Sequence, residues 1–298
     1  KEIRQELVKK RLKDRVRKGQ RIAVTAGSRG IANIAGILAT VVEEIRKTGG
    51  EPFIVPAMGS HGGSTPEGQV DVLRSLGVTE ESVGAPIISS MEVDPVGTLD
   101  GGVTVYLDRV ALKADGIFVV GRVKPHTDFK GEIESGLLKM LAIGLGKQKG
   151  AEMIHWHKYD GYHRIMPEAG RLIAEKTNVV MGLAVLENAA HETAAVKAIL
   201  PGDFLDEEKR LLETEVKPDE PEYRKRHVAT LANLEAAVTC NHKRTIPKTW
   251  EQSLKRQRER LEQRKRRARE NLSKYRQRIQ DAIRKYEERT AKYEEKLE

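Results

Sequence analysis

Residues 121–157 read GRVKPHTDFKGEIESGLLKMLAIGLGKQKGAEMIHWH, directly after the run Gly-Ile-Phe-Val-Val at 116–120. A short apolar run bounded by turn signals reads as a buried parallel strand. Glycine and proline then open a loop, and a new apolar period begins at Ile133. Ligands of open α/β sheets collect at the carboxyl ends of strands. His126, Asp128, Lys130, Lys139 and His155 therefore lie where a site is expected, and this loop is the candidate active site.

Working toward the N-terminus, residues 20–25 read as a strand, 26–30 as a tight turn and 31–47 as a helix. Gly49-Gly50 caps that helix. A second strand at 51–56 completes a βαβ unit. Before it, Ile3, Leu7, Val8 and Leu12 recur at helical spacing. The turn at Gly27 and Gly30 has neither the G-x-G-x-x-G spacing nor a Gly-Lys-Ser/Thr ending, so neither common nucleotide motif is present. Arg29 in that turn reads either as a bidentate holder of a carboxylate or phosphate, or as an exposed turn residue.

After the second strand, Met58-Gly-Ser-His-Gly-Gly-Ser-Thr65 leads to Pro66 at a first helical position, with Thr65 as N-cap. The helix to Leu76 places Val70, Leu73 and Leu76 on one face. Small residues around His61 give it an open setting that suits a general base, against the plainer reading of an inert loop histidine.

Residues 84–112, broken by Pro86, Pro95 and Asp100-Gly-Gly102, read as a hairpin or edge strands. Downstream of 116–121 the pattern predicts a helix over 133–143, a break at Gly144, Gly146 and Gly150, and a helical stretch over 151–157. A helix over 162–176, a strand over 178–186 and a helix over 204–213 follow. This alternation predicts an α/β fold with a doubly wound, mostly parallel sheet and helices on both faces.

Lys139 sits among Leu137, Leu138, Met140, Leu141 and Ile143. Apolar surroundings disfavour a charged amine and suit a nucleophile or covalent attachment point; the alternative is a lysine that snorkels from a half-buried helix. His155 and His157, two apart, point in different directions on a helix, so at most one faces the site.

The chain of 298 residues is 39% hydrophobic, with no apolar run near the ~18 to 20 residues a membrane span requires. Its start shows no signal-peptide pattern, and a single cysteine, Cys240, points to an intracellular, cytoplasmic protein. Residues 243–298 hold 20 Lys/Arg against 10 Asp/Glu, which leaves the first 242 residues at −1 of the total +9. The basic character therefore belongs to the tail.

The ordered set Gly27-Ser-Arg-Gly30, Gly59-Ser-His-Gly62, Lys124-Pro-His-Thr127, Ser135-Gly-Leu-Leu-Lys139 and His155 resembles the N-terminal domain of the lactate racemase family over about residues 1–214. The resemblance implies a nickel-pincer nucleotide attached through Lys139, with nickel held by His155 or, in the alternative register, His157. It implies catalytic histidines at His61 and His126 and an anion-binding Arg29. The implied chemistry is racemisation or epimerisation of a 2-hydroxy acid, the small-molecule substrate. One histidine takes the hydroxyl proton while hydride passes to the cofactor, and a second base serves the opposite enantiomer. The family's racemases have an acidic residue shortly before the arginine, whereas residues 25–28 are neutral here. His61 is followed by Gly-Gly instead of Arg-Pro, and the interval from His126 to Lys139 is about three residues longer.

In that family a second α/β domain follows and completes the substrate site. Here residues 215–227 read as a linker. Residues 228–298 resemble the end of the catalytic core and the linker helix of type IB DNA topoisomerases, through Cys240-Asn-His-Lys-Arg-Thr-Ile-Pro-Lys248. The resemblance places His242 where that family contacts the scissile phosphate. Tyr275, Tyr286 and Tyr293 belong to the apolar stripe of a long charged C-terminal helix or helical hairpin, read as a solvated helix or a weakly patterned coiled coil. The sequence thus predicts a racemase-like domain at 1–214 that is incomplete without a second domain. The alternative function is nonspecific nucleic-acid binding through residues 243–298.

Overall fold

The computed structural model describes residues 1–213, apart from 29, 127–130, 189 and 190 and the side chain of residue 158. Arg29, Asp128 and Lys130, the linker at 215–227 and the helical segment at 228–298 lie outside the described residues.

Among the described residues, seven strands form two sheets. β1 (Arg21–Ala26), β2 (Glu51–Pro56), β5 (Gly116–Arg122), β6 (Val179–Glu187) and β7 (Thr193–Ile199) make a five-stranded sheet in the order β2-β1-β5-β6-β7. β3 (Val93–Thr98) and β4 (Thr104–Asp108) pair as the antiparallel hairpin expected from the prolines and glycines of 84–112. Every pairing in the larger sheet is parallel except β6 with β7. β7 is an addition to the sequence reading. Only Ala198 and Ile199 at its end are buried, and the residues before them give no run that stands out from a loop.

Ten α-helical segments accompany the strands among the described residues: α1 (Glu2–Lys9), α2 (Ile34–Lys47), α3 (Pro66–Ser75), α4 (Glu80–Val83), α5 (Arg109–Leu112), α6 (Leu137–Lys139), α7 (Lys147–Trp156), α8 (Lys158–Asp160), α9 (Met166–Lys176) and α10 (Phe204–Leu211). Two apolar cores cover the two sheet faces, and alternate strand residues feed them, as the two-residue period of a strand requires. Ala23, Phe53, Val55, Ile117 and Val119 face the core shared with Leu137, Leu138, Leu141, Ile154 and Ile173. Ile22, Val24, Ile54, Phe118 and Val120 face the core shared with Leu7, Leu38, Val41, Ile45 and Leu73. The α/β sheet covered on both faces is therefore observed. Val8, read as part of the amphipathic stripe of α1, is 71% exposed, while Leu7 and Leu12 carry the packing.

Three local expectations need correction. The helix expected over 133–143 starts only at Leu137, because Ser135 pairs with Lys124 through two backbone hydrogen bonds of 3.0 and 3.2 Å. The break expected at Gly144, Gly146 and Gly150 is confined to residues 146 and 147, where a turn and the left-handed φ of Lys147, 53°, open α7. Residues 140–145 form a π-helical turn that runs on toward α7, and a Cβ at 144 would lie 2.8 Å from Ala57 O and one at 146 only 2.2 Å from Ala142 O. These glycines serve close packing. On α3, Gln69 and Leu73 are the buried residues, with Val70 and Leu76 only half covered.

The chain leaves β1 for β2 on one side and returns to β5 on the other, so β1 and β5 meet at a topological switch point. Their backbone pairing ends at Val24 and Phe118. Beyond it the buried Thr25 hydroxyl takes over, accepting from Val120 N at 2.9 Å and donating to Val120 O at 3.3 Å. A side chain standing where a backbone ladder would be holds the two carboxyl ends apart and opens a crevice between them.

α10 closes the far side of this region. Its Phe204, Glu208 and Leu211 are buried, and Glu208 Oε1 accepts from Leu137 N and, at 2.9 Å, from Leu138 N. A carboxyl group thus satisfies two of the orphan amides at the start of α6. Gly136 allows the approach, since a Cβ there would lie 2.3 Å from Glu208 Oε2. Burial pushes this carboxyl up to about 8 from 4.5, against the opposing pull of the two amides. A raised carboxyl pKa means the native state holds the proton that the unfolded chain releases. The stability contribution is present below about 4.5 and is lost as pH rises through about 8. Glu208→Gln keeps an acceptor for both amides without the charge. It should melt higher than the parent above pH 8, with the difference vanishing near pH 5, in thermal unfolding followed by circular dichroism.

Candidate active site

The crevice at the switch point is a cavity of about 350 Å³, within the size range of small-molecule sites. Gly27 and Ser28 line it after β1, Met58, Ser60 and His61 after β2, and Gly121, Arg122, Lys124 and His126 along and after β5. Lys139 and Met140 reach it from α6 and the π-helical turn, His155 from α7, and Tyr162 from the turn before α9. Four of the residues expected from the sequence, His61, His126, Lys139 and His155, therefore surround one space. His157 is not among the described lining residues, and Trp156 beside it is 84% exposed.

Each of these side chains has an identifiable support. Lys139 ends α6, whose Leu137 and Leu138 are fully buried, so the lysine is the residue of that turn left at the cavity wall. The π-helical turn that follows it is a distortion often found where function requires a redirected side chain. Gly121 lets this segment sit against β5: a Cβ there would lie 3.0 Å from Met140 Cγ and 3.3 Å from Gly136 O. His126 is fixed at its backbone, where its N–H donates to Glu134 Oε2 at 2.5 Å, and Glu134 is itself buried. Tyr162 stands between two imidazoles, with ring centroids 6.2 Å from His126 and 5.7 Å from His155.

His61 is held at three points. Ser28 Oγ and His61 Nδ1 are 2.5 Å apart. Gly59 N donates to Gly144 O at 3.1 Å, docking the turn that carries His61 onto the segment that follows Lys139. Gln69 Nε2 donates to Gly59 O at 2.9 Å and more weakly to His61 O at 3.4 Å.

Gln69 is oriented in turn by Lys147, a fully buried lysine that the sequence reading did not single out. Lys147 Nζ donates to Gln69 Oε1 at 2.9 Å and to Pro56 O at 2.5 Å, and stands 3.2 Å from Asp108 Oδ2. Asp108, also fully buried, caps α5 by accepting from Ala111 N at 2.8 Å. Its other oxygen makes the ion pair without an aligned hydrogen bond. Burial pushes the Asp108 carboxyl up and the Lys147 amine down, and their mutual attraction opposes both shifts. Lys147 also adopts φ 53°, a left-handed conformation that costs a non-glycine residue about 1–2 kcal/mol. No local sequence signal marks this cluster, since Lys147 is followed by Gln148 and Lys149 and reads like an exposed lysine.

The described lining of the cavity is rich in basic side chains. It contains Arg122, Lys124, Lys139 and three histidines, and no aspartate or glutamate. Arg122 is balanced from outside the lining by Glu187, which also accepts from Ala32 N at 2.8 Å. Such a lining favours an anionic occupant. Among the described residues no three His, Cys, Asp or Glu side chains converge to hold a metal ion.

A family model described as lactate racemase N-terminal domain matches residues 1–159. A second, described as eukaryotic DNA topoisomerase I, catalytic core, matches residues 205–279 and so begins inside α10. No curated protein matches the chain. Among solved structures, the lactate racemase apoprotein from Thermoanaerobacterium thermosaccharolyticum is similar at a TM-score of 0.56 and 15% identity, over 70% of this chain and 54% of that one. The chain thus spans about half the length of that protein, and the likeness concerns the fold.

The buried cluster gives a direct test of how the His61 turn is held. Lys147→Met leaves the Asp108 carboxylate buried without its partner and should destabilise the protein by roughly 3–5 kcal/mol. Lys147→Met combined with Asp108→Asn should recover most of that loss, since the asparagine oxygen still caps α5. Urea denaturation of the parent, both single variants and the double variant measures the coupling.

Proposed function

Because the chain belongs to the lactate racemase N-terminal domain family, we propose that residues 1–213 form the cofactor-bearing half of a racemase or epimerase for a small 2-hydroxy acid. The observation that carries this reading is the convergence of Lys139, His61, His126 and His155 on one cationic cavity free of described carboxylates. A 2-hydroxy acid is an anion, and the lining complements its charge.

In this reading Lys139 is the attachment point of a nickel-pincer nucleotide and His155 contributes a ligand to its nickel. When bound, the group supplies the acceptor and donor for the substrate hydride. His61 and His126 handle the proton. They come from different elements, the turn after β2 and the loop after β5, so they can serve hydroxyls that point in opposite directions. One removes the hydroxyl proton as the carbon centre becomes planar, and the other returns it on the opposite face. Arg122 and Lys124 at the end of β5 would orient the carboxylate, with Arg29 as a further anion-binding residue. Turnover is expected to require the complement that the longer relative carries beyond the shared half.

A second reading concerns residues 205–279. Their match to a topoisomerase core, together with the surplus of ten positive charges in 243–298, supports backbone-directed nucleic-acid binding. It predicts retention of the full chain on duplex DNA that falls steeply between 50 and about 200 mM salt.

For the leading reading, co-expression with cofactor-synthesis proteins should produce a chain whose intact mass is increased by one covalent group and which contains nickel. Lys139→Ala should abolish the increment. His61→Ala and His126→Ala should keep it while lowering interconversion of 2-hydroxy-acid enantiomers roughly 10²–10⁴-fold. An unmodified Lys139 in the loaded preparation would refute the proposal.

A further inference from the structure

We infer that Ser28 is a positioning residue that sets the tautomer of His61, accepting Nδ1–H at its hydroxyl oxygen so that Nε2 carries the proton to and from substrate. The inference rests on the base role proposed above for His61.

The main chain at His61 is already fixed. Gln69, held by Lys147, donates to the carbonyls of residues 59 and 61, and Gly62 adopts φ +68° tightly packed against Gly68 and Gln69. The remaining freedom is rotation of the imidazole and the choice of which nitrogen bears the proton. Ser28 Oγ stands 2.5 Å from Nδ1, and both residues line the cavity. In a neutral imidazole one nitrogen donates and the other accepts. A base needs the accepting nitrogen toward substrate, so with Nδ1 engaged by Ser28 the productive form is Nδ1–H donating to Oγ.

A hydroxyl does this differently from a carboxylate. A carboxylate can only accept, so it imposes the same tautomer, but its charge also stabilises the imidazolium. Ser28 orients the ring without adding negative charge to a lining that holds no described carboxylate. His61 can then both take and return a proton, which a two-directional reaction requires of each base. The same hydroxyl also makes the tautomer a falsifiable property, since serine can donate as readily as it accepts.

The test uses the full-length chain without cofactor, uniformly labelled with ¹⁵N, at a pH where the imidazoles are neutral. Two-bond ¹H–¹⁵N correlations report which ring nitrogen of each histidine is protonated, with His61 assigned through His61→Gln. The expected result is Nδ1 protonated in the parent, loss of that preference in Ser28→Ala, and its retention in Ser28→Thr. His126 and His155 should not move in either variant. A parent spectrum with His61 protonated on Nε2, or an unchanged tautomer in Ser28→Ala, overturns the inference. Because no cofactor is needed, this outcome is read separately from the mass of Lys139. A preparation with no group on Lys139 but the expected tautomer switch would defeat the enzymatic reading and leave the Ser28 link to His61 standing.

Discussion

The cavity exists because one hydroxyl interrupts a β-ladder. Up to Val24 and Phe118 the central strands pair through their backbones; one residue later Thr25 inserts its side chain and satisfies both the N–H and the C=O of Val120. A buried backbone pair left unpaired would be costly, and a closed ladder would leave no crevice. Threonine meets both demands, keeping the hydrogen bonds while separating the strands where the strand order reverses. The residues lining the cavity are the residues that follow these strand ends.

Around that opening, polar groups with no access to water hold the functional turns. Lys147, Gln69 and Asp108 tie the end of β2, α3 and the end of β4 to one point. Glu134 fixes the His126 backbone, and Glu208 the start of the Lys139 turn. A buried ion pair is weak evidence of stability for its own sake, because hydrophobic replacements often do as well. Its directional bonds to the carbonyl of Pro56 and the amide of Gln69 fix geometry in a way that apolar packing does not.

Much of this was legible in the sequence because it depends on neighbours along the chain. Apolar runs marked β1, β2, β5 and β6, and Thr65-Pro66 marked the start of α3, where Thr65 Oγ1 accepts from Gly68 N. The residues gathered at the cavity follow from the rule that strand ends collect ligands, joined to a recognised pattern of motifs. What escaped depends on distant partners. Gln69 and Lys147 are 78 residues apart, Leu137 and Glu208 are 71 apart, and no local period marks either pair. The glycine at 144 misled because its role is to admit Ala57 O, while in isolation it reads as a turn.

The placement of Glu208 also has a mechanical meaning. The stretch that resembles a topoisomerase core begins at residue 205, yet that helix is seated in the racemase-like unit, with its carboxyl directly under the turn that presents Lys139. α10 packs through Phe204 against Gly182 of β6 and through Glu207 against Lys197 of β7, as well as through Glu208 against the two amides of α6, so a shift of this helix is shared between the sheet and the lysine-bearing turn. The lysine is thus seated by a residue that lies outside the racemase-domain match and inside the topoisomerase one.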